Sequence, residues 1–238
     1  MSAPASAPDP TTTADPATSA GDAKTADDAP RPIDAAALRA ALGRCRVVVE
    51  RHAAYLTRLD TVLGDGDHGD NLVIGFRAVD ALLAELPDET LPGELLRAVG
   101  HRLVAAVGGA SGPLYGTAFL EAAARADDAP TLDGAAVAGM LRAAADGLAR
   151  RGRCTVGDKT ILDTLAPAAA AFETAQRDGR PLAQAYALAV RAGRDGARST
   201  RALVARRGLA LRLGERSAGH LDPGAVSCAL LLRALGGR

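Results

Sequence analysis

From Asp34 to the C-terminus the apolar side chains recur mainly at helical spacing, and no stretch shows the alternating apolar and polar pattern of a half-buried strand. Alanine, leucine and arginine dominate this part of the chain, and all three have high helix propensity. Aromatic residues make up only 3% of the sequence, so the core is expected to consist of Ala, Leu and Val. The pattern predicts an all-α domain of about eight helices.

Capping residues and prolines indicate where these helices begin and end. Asp34 is a candidate N-cap, and Pro113 and Pro223 suit first turns, where a missing amide donor matters least. The first helix is expected to bury one face, made of Leu38, Leu42, Cys45, Val49 and Tyr55. The predicted helices run from about Asp34 to Leu59, from near Asn71 to before Pro87, from Pro92 to Gly108, from Pro113 onward, from about Asp133 to Arg150, from about Lys159 to Gln176 with a kink at Pro167, from Pro181 as far as Arg206, and from Pro223 to before Gly236.

The composition suits one soluble domain, residues 33–238, behind an N-terminal tail, residues 1–32. The tail is rich in Ala, Pro, Thr, Ser and Asp and has no large apolar residue after Met1, so we expect it to be disordered. With 28 basic and 28 acidic residues the chain lacks the basic excess of a nucleic-acid-binding protein. It contains neither a secretory signal nor an apolar run of about 18 residues, so we expect a cytoplasmic protein that does not enter membranes.

The stretch from Leu59 to Asn71, LDTVLGDGDHGDN, carries four carboxylates and a histidine among three glycines. Asp60, Asp65 and Asp67 supply hard oxygen ligands, and the glycines allow the backbone to turn sharply enough for these carboxylates to face one point. Mg²⁺ is commonly held by a few carboxylates together with phosphate oxygens, so the loop suggests a nucleotide site. The alternative is a solvated turn, because Asp and Gly are also ordinary turn residues.

Three further polar, glycine-rich junctions each lead into an apolar helical segment. They are VGGASGPLYG at Val107–Gly116, GDKTILD at Gly157–Asp163 and LGERSAGHLDPGA at Leu213–Ala225. With the acidic loop they fall at alternate helix connections. In an up-and-down arrangement alternate connections lie at one end, so the four loops are expected to converge on a single rim.

The strings GDGDHG, GPLYGTAF, GDKT and GERSAGH with DPGA resemble, in order and spacing, the L subunit of bacterial dihydroxyacetone kinase. The resemblance extends from about Ile33 to the C-terminus. It implies an eight-helix antiparallel up-and-down barrel with a nucleotide site at one rim. It also implies that Asp60, Asp65 and Asp67 hold two Mg²⁺ ions that bridge the phosphates of ADP or ATP. The nucleotide-contact positions are then His68, Gly69, Asp70, Asn71, Ala110, Ser111, Gly152, Ile161, Asp222, Pro223 and Gly224.

Several roles stay open at the level of sequence. Asp70 is expected to cap the second helix, although it could instead join the metal shell or face water. His68 is expected to contact a phosphate through its ring, and the neighbouring carboxylates favour its protonated form, which argues against a nucleophile. Asp158 and Lys159 can form a structural ion pair, and Lys159 with Thr160 lacks the upstream glycine and strand of a Walker motif.

The chain departs from the family pattern at Leu209, where an arginine commonly follows the glycine. This removes a cation expected near the phosphates, and Arg207 or Arg212 are the candidates to replace it.

The resemblance implies a subunit that passes the γ-phosphoryl group of Mg-bound nucleotide to dihydroxyacetone held on a separate K subunit. In the phosphotransferase-linked branch ADP is a resident cofactor recharged by a phosphohistidine protein, the M subunit, and a separate short chain favours that branch. The alternatives are an ATP-dependent subunit for a related ketose such as erythrulose, or a non-catalytic module that binds a transcription regulator. A homodimer is also possible.

Overall fold

The computed structural model describes residues 33–126 and 128–237, so the predicted N-terminal tail lies outside the described residues. Within that part of the chain the structure contains eight α-helices and two two-residue strands. The strands, β1 (Ile33–Asp34) and β2 (Thr131–Leu132), pair antiparallel. The helices are α1 (Ala35–Leu63), α2 (His68–Glu85), α3 (Pro92–Ala106), α4 (Ser111–Ala123), α5 (Gly134–Gly152), α6 (Leu162–Arg177), α7 (Leu182–Ser199) and α8 (Pro223–Leu235).

The helices form a closed ring. Each helix packs against the next along the chain, and α8 returns to pack against α1. Because the connections between neighbouring helices are mostly short, consecutive helices run antiparallel, and the predicted eight-helix up-and-down barrel is confirmed. One continuous core, extending from Leu38 to Ala234, joins all eight helices, as expected for a single domain.

Three aspartates start helices as the capping rules predict. The side chains of Asp34, Asp133 and Asp222 each accept a hydrogen bond from the amide three residues later, at 2.7 to 2.8 Å. The apolar face predicted for α1 is buried at four of its five positions. Tyr55 is the exception: the prediction is wrong there, because its side chain is 38% exposed and lies beside Arg58 at the surface.

The chain differs most from the predicted boundaries after α7. That helix ends at Ser199 instead of reaching Arg206, and 3₁₀ turns follow at Thr200–Ala202 and Leu209–Ser217. The Thr200 carbonyl accepts hydrogen bonds from the Leu203 amide and from the ammonium of Lys159. The helix therefore stops where its backbone begins to bond to a distant loop.

The interior of the ring contains an apolar pocket of about 420 Å³ that is open on one side. Its walls come from seven of the eight helices, and Tyr115 and Ile161 lie between this pocket and a second pocket at one rim. In residues 33–126 and 128–237, no helix is long and apolar enough to cross a membrane. The barrel therefore has an apolar interior, and its second pocket lies at the rim formed by the glycine-rich connections.

Candidate functional site

The rim pocket has a volume of about 620 Å³ and is lined by all four glycine-rich connections. These are the α1–α2, α3–α4, α5–α6 and α7–α8 connections, as the alternation of the loops predicts. Eleven of the fourteen predicted site residues line the pocket, namely Asp60, Asp65, Asp67, His68, Ala110, Ser111, Gly152, Ile161, Asp222, Pro223 and Gly224. Gly69, Asp70 and Asn71 lie outside the lining.

Asp60 organises the acidic loop. It lies in the last turn of α1, 8% exposed, and its Oδ2 accepts hydrogen bonds from the amides of Gly66, Asp67 and His68 at 3.0, 3.0 and 3.2 Å. Its other oxygen, Oδ1, lies beside Gly64, where a Cβ atom would come within 2.2 Å of it. The predicted first helix is thus too short, because α1 continues past Asp60 to Leu63. The carboxylate both closes the loop and leaves one oxygen for another partner.

The carboxylates of Asp60, Asp65 and Asp67 converge. One oxygen from each lies within 4.8 Å of the others. The pKa of Asp67 is raised, first by burial and further by the charges of Asp65 and Asp60, whereas a hydrogen bond with Asn71 opposes the rise. Three carboxylates this close repel one another unless a cation lies between them, and hard oxygen ligands suit Mg²⁺ or a similar ion. The donor set therefore fits a divalent cation.

Two predicted contact residues after the acidic loop have structural surroundings. Gly69 packs against α1, where a Cβ would come within 2.1 Å of the Ala53 carbonyl oxygen. The Asn71 amide lies beside Gly108, so it joins the first loop to the second. The contribution of both residues to a bound nucleotide stays a prediction.

Asp70 does not cap α2. It is the third residue of that helix and is exposed, and the N-cap position belongs to Asp67, whose side chain makes no capping bond. The prediction of a cap at Asp70 is therefore wrong. Its negative charge still lies in the first turn, where the helix dipole favours it.

His68 is buried, and both ring nitrogens contact hydroxyl groups. Nδ1 lies 3.0 Å from Ser111 Oγ, and Nε2 lies 2.8 Å from Ser227 Oγ. Burial lowers the pKa of the imidazole, against the opposing charges of Asp60 and Asp65. The expectation that the surroundings of the ring favour its protonated form is therefore wrong, because burial outweighs the neighbouring carboxylates. Ser111 and His68 both line the pocket, and Ser111 is the more exposed of the two.

Lys159 links the third loop to the fourth. Its side chain is 1% exposed, and its ammonium donates hydrogen bonds to the carbonyl oxygens of Thr200 and His220. Its backbone adopts φ 63°, a left-handed conformation that few residues other than glycine occupy. Burial lowers the pKa of this ammonium, whereas the charges of Asp222 and Asp163 raise it. Lys159 thus fixes the loop that carries Asp222.

The expected ion pair between Asp158 and Lys159 is not present among the described residues. Asp158 instead accepts a hydrogen bond from the Thr155 amide at 3.0 Å and lies 3.5 Å from Arg207 Nε. Asp163 anchors the same loop, because its two carboxylate oxygens accept hydrogen bonds from the amides of Gly157 and Thr160.

The fourth connection places Asp222, Pro223 and Gly224 at the start of α8. Burial raises the pKa of Asp222 to about 7, against the hydrogen bond from Ala225 and the charge of Lys159. Leu209 and Arg207 both line the pocket, whereas Arg212 does not. Of the two candidates to replace the missing arginine, Arg207 alone is in position, and its nearest carboxylate is Asp158.

The sequence did not predict Tyr115 and Ser227, two polar residues that form hydrogen bonds behind His68. Tyr115 and Ser227 bond to each other at 2.7 Å, and Ser227 bonds to His68. Both residues occur in strings that carried the resemblance or directly after them, but a tyrosine and a serine on an apolar helix give no local signal of a shared network.

The comparisons with known proteins identify the family of the chain. The model of the DAK2 domain matches residues 62–237. The chain belongs to the DAK2 domain family. A curated relative of this DAK2 domain, the PEP-dependent dihydroxyacetone kinase 2, ADP-binding subunit DhaL of Listeria innocua, is 38% identical over 207 residues, which cover 85% of this chain and 94% of the relative. The corresponding ADP-binding subunit of Escherichia coli is 37% identical over 82% of this chain and 92% of the relative.

A further curated relative of the DAK2 domain is the L-erythrulose 1-kinase of Mycolicibacterium smegmatis, 35% identical over 83% of this chain and 34% of that enzyme. The solved dihydroxyacetone kinase of C. freundii superposes with a TM-score of 0.67 over 96% of this chain and 38% of its own length, at 23% identity. The same protein has been solved in complex with AMP-PNP and Mg²⁺. At this identity the structural match shows a shared fold, and the resemblance identified from the sequence is confirmed by the family.

Proposed function

We propose that this chain is the nucleotide-binding subunit of a dihydroxyacetone kinase. It would present Mg-bound ADP or ATP so that the γ-phosphoryl group passes to dihydroxyacetone held on a partner K subunit. The observation that carries the proposal is the convergence of Asp60, Asp65 and Asp67 on a pocket of about 620 Å³ built from four loops. ADP-binding subunits that align over more than 90% of their own length support it.

We propose that the three carboxylates hold two Mg²⁺ ions. Bound there, Mg²⁺ supplies positive charge that stabilises the phosphoryl group during transfer. Asp60 contributes rigidity, because three backbone amides donate hydrogen bonds to its Oδ2. Asp65 is exposed and Asp67 is close beside it, so they face the side from which a ligand arrives.

The remaining pocket residues would hold the nucleotide. Ser111 begins α4 and Pro223 begins α8, and both helix N-termini lie at the pocket. Free backbone amides at helix N-termini favour phosphate groups. Ala110, Gly152, Gly224 and the apolar side chain of Ile161 would contact the rest of the nucleotide. The contacts predicted for Gly69, Asp70 and Asn71 belong to this proposal as well.

The proposed partners follow from the same assignment. The K subunit would dock over the rim so that its substrate reaches the phosphates. The Listeria and Escherichia relatives are PEP-dependent, and we propose the same for this chain, with a phosphohistidine M subunit recharging a resident ADP. Binding of a transcription regulator and formation of a homodimer remain predictions.

The direct test is calorimetry of ADP binding with Mg²⁺ and with EDTA. We expect binding only when Mg²⁺ is present, and we expect Asp65→Asn to weaken it by at least roughly ten-fold because a charged metal ligand is lost. Asp88→Asn is the matched control, since it removes an exposed carboxylate that lies between α2 and α3 and does not line the rim pocket. Equal affinity with Mg²⁺ and EDTA would rule out the metal role.

A second candidate substrate is a four-carbon ketose, because the L-erythrulose 1-kinase is 35% identical to this chain over 83% of it. Phosphorylation assays that combine this subunit with its K subunit, and compare dihydroxyacetone with D- and L-erythrulose, separate the two. A higher kcat/KM for an erythrulose than for dihydroxyacetone would favour the second candidate.

A further inference from the structure

A buried chain of hydroxyl groups extends from the rim pocket towards the interior of the barrel. It starts at Ser111 in the pocket, passes through the imidazole of His68, and ends at Ser227 on α8 and Tyr115 on α4. The three distances are 3.0 Å from Ser111 Oγ to His68 Nδ1, 2.8 Å from His68 Nε2 to Ser227 Oγ, and 2.7 Å from Ser227 Oγ to the Tyr115 hydroxyl.

The donors and acceptors of this hydrogen-bond network can be assigned by counting its hydroxyl and imidazole protons. Ser227 Oγ carries one hydrogen and has two possible acceptors, the Gly224 carbonyl oxygen at 3.0 Å and His68 Nε2. Tyr115 is 4% exposed, and among the described residues its hydroxyl bonds only to Ser227. A buried hydroxyl gives its proton to the partner it has, so Tyr115 donates to Ser227. Ser227 must then direct its own proton elsewhere.

Two arrangements satisfy every group. In the first, Ser227 donates to Gly224, His68 donates through Nε2–H to Ser227, and Ser111 donates to Nδ1, so that Ser111 presents only lone pairs to the pocket. In the second, Ser227 donates to Nε2, Nδ1–H donates to Ser111, and the Ser111 hydrogen is free to point into the pocket. A neutral imidazole carries one N–H, so it allows one arrangement at a time.

We propose that Ser227 and Tyr115 are positioning residues that act through His68 to set whether the Ser111 hydroxyl donates to, or accepts from, the bound nucleotide. The inference rests on the proposed function, because it requires a phosphate near Ser111. Phosphate oxygens accept hydrogen bonds and do not donate them, so a phosphate beside Ser111 selects the second arrangement. Tyr115 contributes by donating to Ser227, because a hydroxyl that accepts a hydrogen bond is polarised and becomes a stronger donor towards His68 Nε2.

Burial makes each hydrogen bond of Ser227 and His68 necessary. Ser227 is 1% exposed and His68 is 7% exposed, so water cannot replace a missing partner in the chain. Loss of one hydroxyl therefore leaves a buried polar atom without a hydrogen bond. Because the bonds of the network depend on one another, this loss also changes the hydrogen bond between His68 and Ser111.

The test is ¹⁵N nuclear magnetic resonance of the histidine rings, with the signals of His68 identified by comparison with His68→Gln. The nitrogen shifts distinguish the Nε2–H form from the Nδ1–H form. We expect the free protein to show the Nε2–H form and the Mg-ADP complex to show the Nδ1–H form. The same form in both states would overturn the proposal.

Two variants test the positioning residues, and one is a matched control. Ser227→Ala is expected to weaken Mg-ADP binding roughly ten-fold and Tyr115→Phe roughly three-fold, as for one buried hydrogen bond or part of one. Both are expected to abolish the change of tautomer. Tyr186→Phe is the control, because that partly buried hydroxyl donates to the Leu232 carbonyl at 3.1 Å and does not line the rim pocket.

The outcomes separate three explanations. If Tyr115→Phe lowers the melting temperature as Tyr186→Phe does, but keeps the ADP affinity and the tautomer change of the native chain, its role is structural and the proposal is wrong. If the native chain binds no Mg-ADP, the proposed function fails instead. Loss of affinity and of the tautomer change in Ser227→Ala and Tyr115→Phe, with Tyr186→Phe unaffected, supports the proposal.

Discussion

Replacing Lys159 by methionine is expected to destabilise the protein strongly. The substitution keeps the length of the side chain and does not change the preference for the left-handed backbone at this position, so it isolates the ammonium. It removes two charge-assisted hydrogen bonds, to the carbonyl oxygens of Thr200 and His220, in a side chain that is 1% exposed. The carbonyl oxygens of Thr200 and His220 then each lose the hydrogen bond that links them to the α5–α6 connection.

The magnitude follows from these bonds. A hydrogen bond to a charged group contributes about 1.5 to 3 kcal/mol, so two give about 3 to 6 kcal/mol. Burial of the ammonium costs desolvation energy, which also lowers its pKa, and this cost offsets part of the sum, so we expect a net loss of about 2 to 5 kcal/mol. For a domain of this length each kcal/mol lowers the melting temperature by about 2 to 4 °C, so the expected decrease is about 4 to 20 °C.

The assay is thermal unfolding followed by circular dichroism, with Lys159→Arg as the companion variant. Arginine keeps the charge but replaces three tetrahedral donors by a planar fork, which does not match two carbonyls grouped around one nitrogen. We expect Lys159→Arg to lose stability as well. A decrease of less than about 2 °C for Lys159→Met would refute the claim that this ammonium holds the two loops together.

Two further predictions concern the same rim. Burial raises the pKa of Asp222 to about 7 from 3.8, so its protonated form favours the folded state: its contribution to stability is fully present below about pH 4 and is lost as pH rises to about 7. Asp222→Asn retains the capping oxygen but cannot ionise, so the melting temperature of the native chain should fall relative to this variant between about pH 4 and pH 7. Parallel curves would contradict the raised pKa. Leu209→Arg should slow the release of labelled ADP in a chase by roughly ten-fold or more, because Leu209 lines the pocket and a guanidinium there can reach a phosphate. Equal release rates would show that the side chain does not reach it.

The sequence predicted the helices and the convergence of the four loops because both depend on local signals. Asp34, Asp133 and Asp222 cap helices in the structure as their positions before apolar runs indicate. The alternation of polar loops and helices was sufficient to place the loops at one rim, since up-and-down helices put alternate connections at the same end.

The supporting bonds of the site could not be predicted in the same way. Tyr115 and Ser227 are 112 residues apart, and Lys159 bonds to carbonyls 41 and 61 residues away. Backbone carbonyls leave no mark in a sequence, and a serine or tyrosine on an apolar helix is ordinary. The direction predicted for the pKa of His68 was also wrong, because the adjacent carboxylates are visible in the sequence whereas the burial of the ring is not.

Asp60 shows how closely the scaffold and the metal ligands are combined. One of its oxygens accepts three amide hydrogen bonds, and its carboxylate belongs to the trio with Asp65 and Asp67, so a single side chain both shapes the acidic loop and takes part in the candidate cation site. A substitution at Asp60 would therefore release the loop and remove a ligand at once, and its effect on nucleotide binding could not be assigned to either cause. Asp65 is exposed, so its carboxylate can be removed with less effect on the fold. The contribution of a metal ligand to nucleotide binding is therefore measured at Asp65, whereas Asp60 holds the loop that fixes the position of Asp65.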